Sequence, residues 1–456
     1  MFVVTFLVIR NDLVPKIVVV TILATMIILS TISVTFDTES VLAQQHNKEQ
    51  VTLRAILSAP RDRWDILLKD ALDELRSRHP EMNIQLNYTV FPYNVTRAQI
   101  LRTLGNKTSI DLVSVDQIWL GDFAQRRYLT DLTDNVSKWG KYSDWYQTNL
   151  DGSLYKGRVY GIWAWTDVRA IWYWKDLLNQ TGVDPNMLKT WEGYITSLNK
   201  INNIFKHQNR ETQRGGVVVC GGAEWYPYLW MLGGDILTEK HGHPTKGTYW
   251  FPAYNSSAGV RAAEFVKQQV GAGIKPILSN VSGFENDFIN KKIAVLIGGS
   301  WLPGIFPPSQ REDLEKIVGF IPMYPVPSAD NQTTTLLGGW ELGIPQSSKH
   351  KDLAWELITI MVDPKILAHM LAQTGYLPTQ KTIGEGPQSA ELNQTIPYYD
   401  KMVSMIPIGH SRPSVPEFPQ IDNDVSQALD QVCLGLKNPK QALNDASAKS
   451  AKVLGW

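Results

Sequence analysis

Polar and apolar positions begin to alternate with a period of two at Val51, and Val51, Leu53, Ala55 and Leu57 predict a strand. The period then lengthens to that of a helix. Trp64, Leu67, Leu68, Ala71, Leu72 and Leu75 fall on one stripe until Pro80 stops it. Alternation returns at Ile84, Leu86, Tyr88 and Val90, a helical stretch covers Ile100 to Leu104, and Ile110 to Val115 reads as a buried strand. Strand, helix, strand, helix, strand with right-handed crossovers predicts a parallel sheet covered on both faces.

Further on, Tyr160 to Leu178 reads YGIWAWTDVRAIWYWKDLL. As extended chain it sends Trp163, Trp165, Asp167, Arg169 and Tyr173 to one face. Core strands favour Val and Ile, whereas indoles interleaved with charge suit a ligand that has both apolar and hydroxyl surfaces, as a sugar does. Thr190 caps a helix whose Tyr194, Leu198, Ile201 and Phe205 form one apolar face. Short strands are predicted at Gly216 to Cys220, Ile293 to Trp301 and Leu336 to Ile344, and two amphipathic helices close the chain at Val425 to Leu436 and Pro439 to Leu454.

At 456 residues the chain exceeds what one core supports. Lysine plus arginine equals aspartate plus glutamate at 44 each, so no net field draws it to nucleic acid. Tryptophan, at 16, is the enriched residue, and part of that set is expected at a ligand site. Ile17 to Phe36 carries no charge, Lys16 precedes it, and Asp37 and Glu39 follow. This targeting segment exports the rest of the chain. Cleavage near Val41-Leu42-Ala43 and retention as a transmembrane anchor both stand as readings of residues 1–43, with 44–50 as a tether. Nine Asn-x-Ser/Thr triplets agree with export. Cys220 and Cys433 either pair or remain two buried thiols.

Enzyme signatures are poor: there is no Gly-x-Ser-x-Gly elbow, Cys-x-x-Cys, His-Glu-x-x-His or P-loop. His241 and His243 read as a solvated loop rather than a metal site, and no cofactor is expected. In a parallel α/β sheet ligands lie beyond the carboxyl ends of strands, which points to SAPRDRW at 58–64 and DQIW at 116–119. Asp116 also suits a helix N-cap, and Arg63 reads as a solvated loop charge. Were Asp116 and Asp167 to face each other across a cleft, a secreted carbohydrate-cleaving enzyme would stand as the alternative reading, beside a surface sugar sensor without a permease.

Six stretches, DLVSVDQIWLGDFAQRRYLTDLT at 111–133, YGIWAWTDVRAIWYWKDLL at 160–178, IAVLIGGSW at 293–301, LLGGWELGIPQSSKHKDLAWELI at 336–358, GYLPTQK at 375–381 and RPSVPEFPQI at 412–421, together resemble the extracellular solute-binding proteins of ABC sugar importers. That family includes maltose-binding and trehalose/maltose-binding proteins. The resemblance implies a monomeric type II periplasmic-binding-protein fold, with two parallel-sheet α/β lobes, a ligand cleft and a hinge. One lobe would comprise 51–165 and 333–375, the other 166–332 and 376–456. It also implies a carbohydrate ligand, an oligosaccharide by preference, and permease subunits as partners. Sugar contacts fall on Asp116 and Asp167 as acceptors, Trp165, Trp301 and Trp340 as stacking surfaces, Gly338 and Gly339 as points of close approach, and Arg412 as donor. Arg61, Trp230 and Tyr376 complete the set. The first loop departs from the family by offering Arg61 where some disaccharide binders have an acid, which an acidic sugar would suit.

Overall fold

The computed structural model describes residues 48–210, 212–279, 281 and 283–456, so the targeting segment at 1–43 and residues 44–47 of the tether lie outside the described residues. Among the described residues no helix is long and apolar enough to cross a membrane. Two compact units are distinguished. The smaller includes Arg76–Gln85, a helix end, a turn and the start of a strand. The larger, Leu53–Leu75 with Leu86–Trp456, holds every candidate site residue.

The opening follows the hydrophobic pattern closely. Strand β1 (Glu49–Ser58) buries Val51, Leu53, Ala55 and Leu57. Helix α1 (Asp62–Arg78) buries Trp64, Leu67, Leu68, Ala71, Leu72 and Leu75, with acids in its first turn and arginines in its last, as the helix dipole favours. Then come β2 (Met82–Phe91), α2 (Tyr93–Gly105) and β3 (Leu112–Asp116), and β1 runs parallel to β3. The aromatic stretch forms two strands, β4 (Ile162–Asp167) and β5 (Arg169–Trp174). Next in the chain are α3 (Trp191–His207), capped by Thr190 as expected, β6 (Val217–Cys220) and α4 (Gly222–Met231). A hairpin of β7 (Leu237–His243) and β8 (Gly247–Pro252) precedes β9 (Lys275–Leu278), β10 (Val295–Gly299) and β11 (Val318–Ile321). The remainder comprises β12 (Thr335–Leu336), β13 (Gly338–Gly343), α5 (Lys351–Met361), β14 (Leu377–Pro378), β15 (Gly409–His410), α6 (Phe418–Cys433) and α7 (Pro439–Val453).

A six-stranded sheet has the order β14-β4-β13-β3-β1-β2, and a three-stranded sheet the order β10-β5-β11. Where parallel sheets were expected, the six-stranded sheet is mixed and both pairings of the three-stranded sheet are antiparallel. Strand β13 is antiparallel to both β3 and β4, and β5 is antiparallel to both β10 and β11. The right-handed crossover rule binds only strands joined by a helix within one sheet, whereas β4 and β13 belong to segments that pass from one sheet to the other. Val168 is the switch residue between β4 and β5, and Leu337 separates β12, paired with β15, from β13. The last passage comes later than Tyr376, because Leu377 and Pro378 still pair with Thr166 and Trp165 of the six-stranded sheet.

Two local expectations change. A bulge in β4 pairs Trp163 with Glu341 but Trp165 with the adjacent Trp340, so the two indoles leave the sheet on opposite faces rather than one. His243 is buried rather than solvated: its Nδ1 accepts from the Thr245 and Lys246 amides, which leaves the proton on Nε2 to be donated to the Leu454 carbonyl at 2.8 Å. Among the described residues no cluster of three or more His, Cys, Asp or Glu is arranged to hold a metal.

Cys220 and Cys433 pair, joining the end of β6 to the end of α6 across 213 residues of chain. Closing so long a loop removes entropy from the unfolded ensemble, typically about 2–4 kcal/mol. Cys220→Ser, or reduction of the bond, is therefore expected to lower the melting temperature, checked by calorimetry with and without reductant.

Candidate functional site

A cavity of about 490 Å3 lies at the ends of these strands. The six-stranded sheet contributes Asp116, the last residue of β3, Asp167, the last of β4, and Gly338, Gly339 and Trp340 of β13. From the other sheets and helices come Arg169 at the start of β5, Val219, Glu224, Gly299 and Trp301, with Glu285, Tyr376 and Arg412 closing the wall.

Each aspartate is held by an arginine. Asp116 Oδ1 accepts from Arg412 Nη2 at 3.3 Å and from the Ile118 amide at 3.3 Å, while Oδ2 accepts from the Tyr93 hydroxyl at 2.9 Å. The cap and the site are thus one residue. Asp167 Oδ1 accepts from Arg169 Nη1 at 2.6 Å, and Arg169 Nε lies 3.6 Å from Glu224 Oε1. Burial pushes the Asp167 carboxyl above its ordinary range, with Arg169 and Arg412 pulling it back. Burial also raises Glu285. Three guanidinium groups and four carboxylates line the cavity, so it is densely polar without a large net field.

Two indoles flank these groups. Trp340 is gripped edge-on by Tyr93 and Trp119, with centroids 6.1 and 5.6 Å away, which fixes its plane. Trp301 folds back over Gly299, where a Cβ would lie 2.0 Å from the ring, and Arg169 sits 5.1 Å from its centroid. Gly339 has φ +134 and leaves no room for a Cβ beside the Trp165 carbonyl at 2.3 Å, so only glycine fits there. A Cβ at Gly338 would lie 2.5 Å from Asp167 Oδ1.

The structure therefore brings together Asp116, Asp167, Trp301, Gly338, Gly339, Trp340, Tyr376 and Arg412, and separates the other three sequence candidates from them. Arg61 is exposed, paired with Asp65 at 3.5 Å and lying over the Tyr88 ring. Trp165 is fully buried behind the wall, tilted against Trp64 at 4.8 Å and Tyr376 at 5.7 Å. Trp230 stacks on His410 at 4.9 Å and lines a second cavity of about 1060 Å3, which touches the first through Arg412.

Arg63, expected as a solvated loop charge, is instead 1% exposed. Its Nη1 donates to the Tyr376 hydroxyl at 2.7 Å, and Nη2 donates to the Ser58 and Ala59 carbonyls at 3.1 and 2.6 Å. Its guanidinium carbon lies 5.2–5.5 Å from the ring centroids of Trp64, Trp165, Trp340 and Tyr376. Aromatic faces take the place of a carboxylate partner. Burial pulls its pKa down, opposed by Tyr376 and Asp62. The signal was present in the helical spacing, since Arg63 shares a stripe with Leu67 and Ala71.

On the face of β13 opposite Trp340, Glu341 is wholly buried and neither carboxylate oxygen has a hydrogen-bond partner among the described residues. Burial, and secondarily Asp116, raises its pKa well above the ordinary carboxylate value, which favours the protonated form in the folded chain. The unfolded chain releases that proton above about pH 4, and folded stability therefore falls as pH rises from there towards the folded pKa. Glu341→Gln keeps the shape and removes the titration. It is expected to raise the melting temperature at pH 7, with the gain fading towards pH 4 in a pH series of melts.

Residues 73–395 match the model of the family described as bacterial extracellular solute-binding protein. The diacetylchitobiose binding protein of Streptomyces coelicolor is 20% identical over 379 residues, covering 81% of this chain and 83% of that one. The mannitol-binding protein of Pseudomonas aeruginosa is 20% identical over 395 residues, covering 82% and 87%. Among solved structures, a solute-binding protein of Thermotoga lettingae bound with α-D-tagatose superposes with a TM-score of 0.75 at 20% identity, over 89% of this chain and all of that one. A maltose-bound Thermotoga maritima protein gives 0.73 at 18% identity, over 88% and all. At such identities the structures establish the shared fold.

Proposed function

This chain belongs to the bacterial extracellular solute-binding protein family, the non-enzymatic binding component of ABC transporters, and from that premise we propose that it captures a carbohydrate, by preference an oligosaccharide, in the cavity bounded by Asp116, Asp167, Trp301 and Trp340, and hands it to permease subunits. The observation that carries this reading is the pairing of two fixed indoles with two arginine-held carboxylates in one cavity. A carboxylate accepts two hydroxyl donors at once, and a planar ring covers the C–H face of a pyranose. Because each group is already held in place, little ordering cost falls on binding. Gly338, Gly339, Tyr376 and Arg412 complete the proposed contact set, and Arg63, at the cavity wall, positions Tyr376 and Trp340.

Closure is proposed to occur by rotation about the segments that pass between sheets, at Val168, around Thr333 to Leu337 and beyond Pro378. The family is extracytoplasmic, and residues 1–43 are proposed to be either the cleaved export signal or the anchor, which N-terminal sequencing of the native protein distinguishes. The diacetylchitobiose- and mannitol-binding relatives favour carbohydrate or polyol over peptide.

The test is a thermal-shift panel of glycans, polyols, peptides and polyamines. A ligand at a hundred times its Kd stabilises the folded state by about 2.7 kcal/mol, ample for detection. Shifts from peptides or polyamines but from no glycan would refute the reading.

A further inference from the structure

Nine of the 23 asparagines open an Asn-x-Ser/Thr triplet without proline, while serine and threonine fill 57 of 456 positions, one in eight. Chance placement gives about three such triplets, so the chain carries roughly three times the expected number. Asn280 lies outside the described residues, and the structure sorts the other eight. Asn87, Asn94, Asn106, Asn179 and Asn393 are exposed. Asn135, Asn255 and Asn331 are half-buried, and the last two have side chains already engaged: Asn255 Nδ2 donates to Asn444 Oδ1, and Asn331 Oδ1 accepts from Ser328. None of the five exposed asparagines lines either cavity.

We propose that these five exposed asparagines carry N-linked glycans added outside the cytoplasm. The donor class is a sugar activated as a phosphate ester at its anomeric carbon. The asparagine amide nitrogen forms a bond to that carbon, the bond from carbon to phosphate oxygen breaks, and the phosphate leaves with the electron pair while the amide gives up one proton. At Asn87, Asn106 and Asn393 the hydroxyl residue of the triplet, Thr89, Thr108 or Thr395, is exposed as well, so the whole triplet can be reached in the folded chain. At Asn94 and Asn179 it is not: Thr96 and Thr181 are buried and donate to backbone carbonyls, so transfer there precedes local folding. Asn87 has a further consequence. It lies on β2, an edge strand of the six-stranded sheet, where a bulky polar glycan would block pairing with another chain.

Protein isolated from the cells that make it, digested and examined by mass spectrometry, is expected to show sugar masses on Asn87 and Asn106. Asn87→Gln and Thr89→Ala should each remove one glycan mass, and Thr89→Ser should retain it. Unmodified peptides at both Asn87 and Asn106 would overturn the proposal, as would sugar confined to Asn255 and Asn331.

Discussion

Trp340→Ala is expected to weaken carbohydrate binding by about 2 kcal/mol or more, roughly 30-fold in Kd, because a large, rigid aromatic surface at the centre of a desolvated site dominates affinity. Its plane is set by Tyr93 and Trp119 before any ligand arrives, so the wild-type ring needs little ordering on binding. Isothermal titration with the best glycan from the panel measures the loss, and Trp340→Phe should recover part of it. The same indole is one of four rings around Arg63, so a melting curve must accompany the titration. A variant that melts normally and binds with unchanged affinity would show that the ligand lies elsewhere.

Arg63→Ala should be the most damaging substitution for folding in the site's surroundings. It strips a donor from the buried Ser58 carbonyl, from the half-buried Ala59 carbonyl and from the Tyr376 hydroxyl, and it empties the centre of an aromatic cage. Each acceptor left unsatisfied typically costs about 1–3 kcal/mol, and the cavity left by the side chain adds to that. Urea unfolding followed by tryptophan fluorescence reads the change. Arg63→Lys is expected to rescue little, since one ammonium cannot span three acceptors in the planar geometry of a guanidinium. Full stability in Arg63→Lys would mean that charge alone, rather than the fork of donors, holds the cage.

Much of this was legible in the chain. The alternation at Val51 to Leu57 and the stripe from Trp64 to Leu75 became β1 and α1 with the anticipated residues inside, because one-sided burial imposes its period on any sequence that satisfies it. Asp116, Asp167, Trp301 and Trp340 were pointed to by the family resemblance; they end strands or stand beside glycines, and the structure places all four around one cavity.

The rest depended on contacts between distant parts of the chain. Period-two reading put Trp163 beside Trp165, and a single bulged residue, selected by pairing with β13, reversed one of them. Arg61 and Arg63 are chemically alike and two residues apart. Helix α1 starts between them and turns Arg63 towards rings from 165, 340 and 376, while Arg61 is left against Tyr88 and Asp65. Nor did two cysteines 213 residues apart carry any statement of distance.

By itself, then, the amino-acid sequence determined the alternation of strands and helices, the family and the chemical types at the site, since local period and residue chemistry are properties of neighbouring positions. Only the tertiary structure decided which arginine is buried, which tryptophan faces the cavity and whether the cysteines meet. Those outcomes depend on register and crossing points, which are set by packing between segments far apart in the chain.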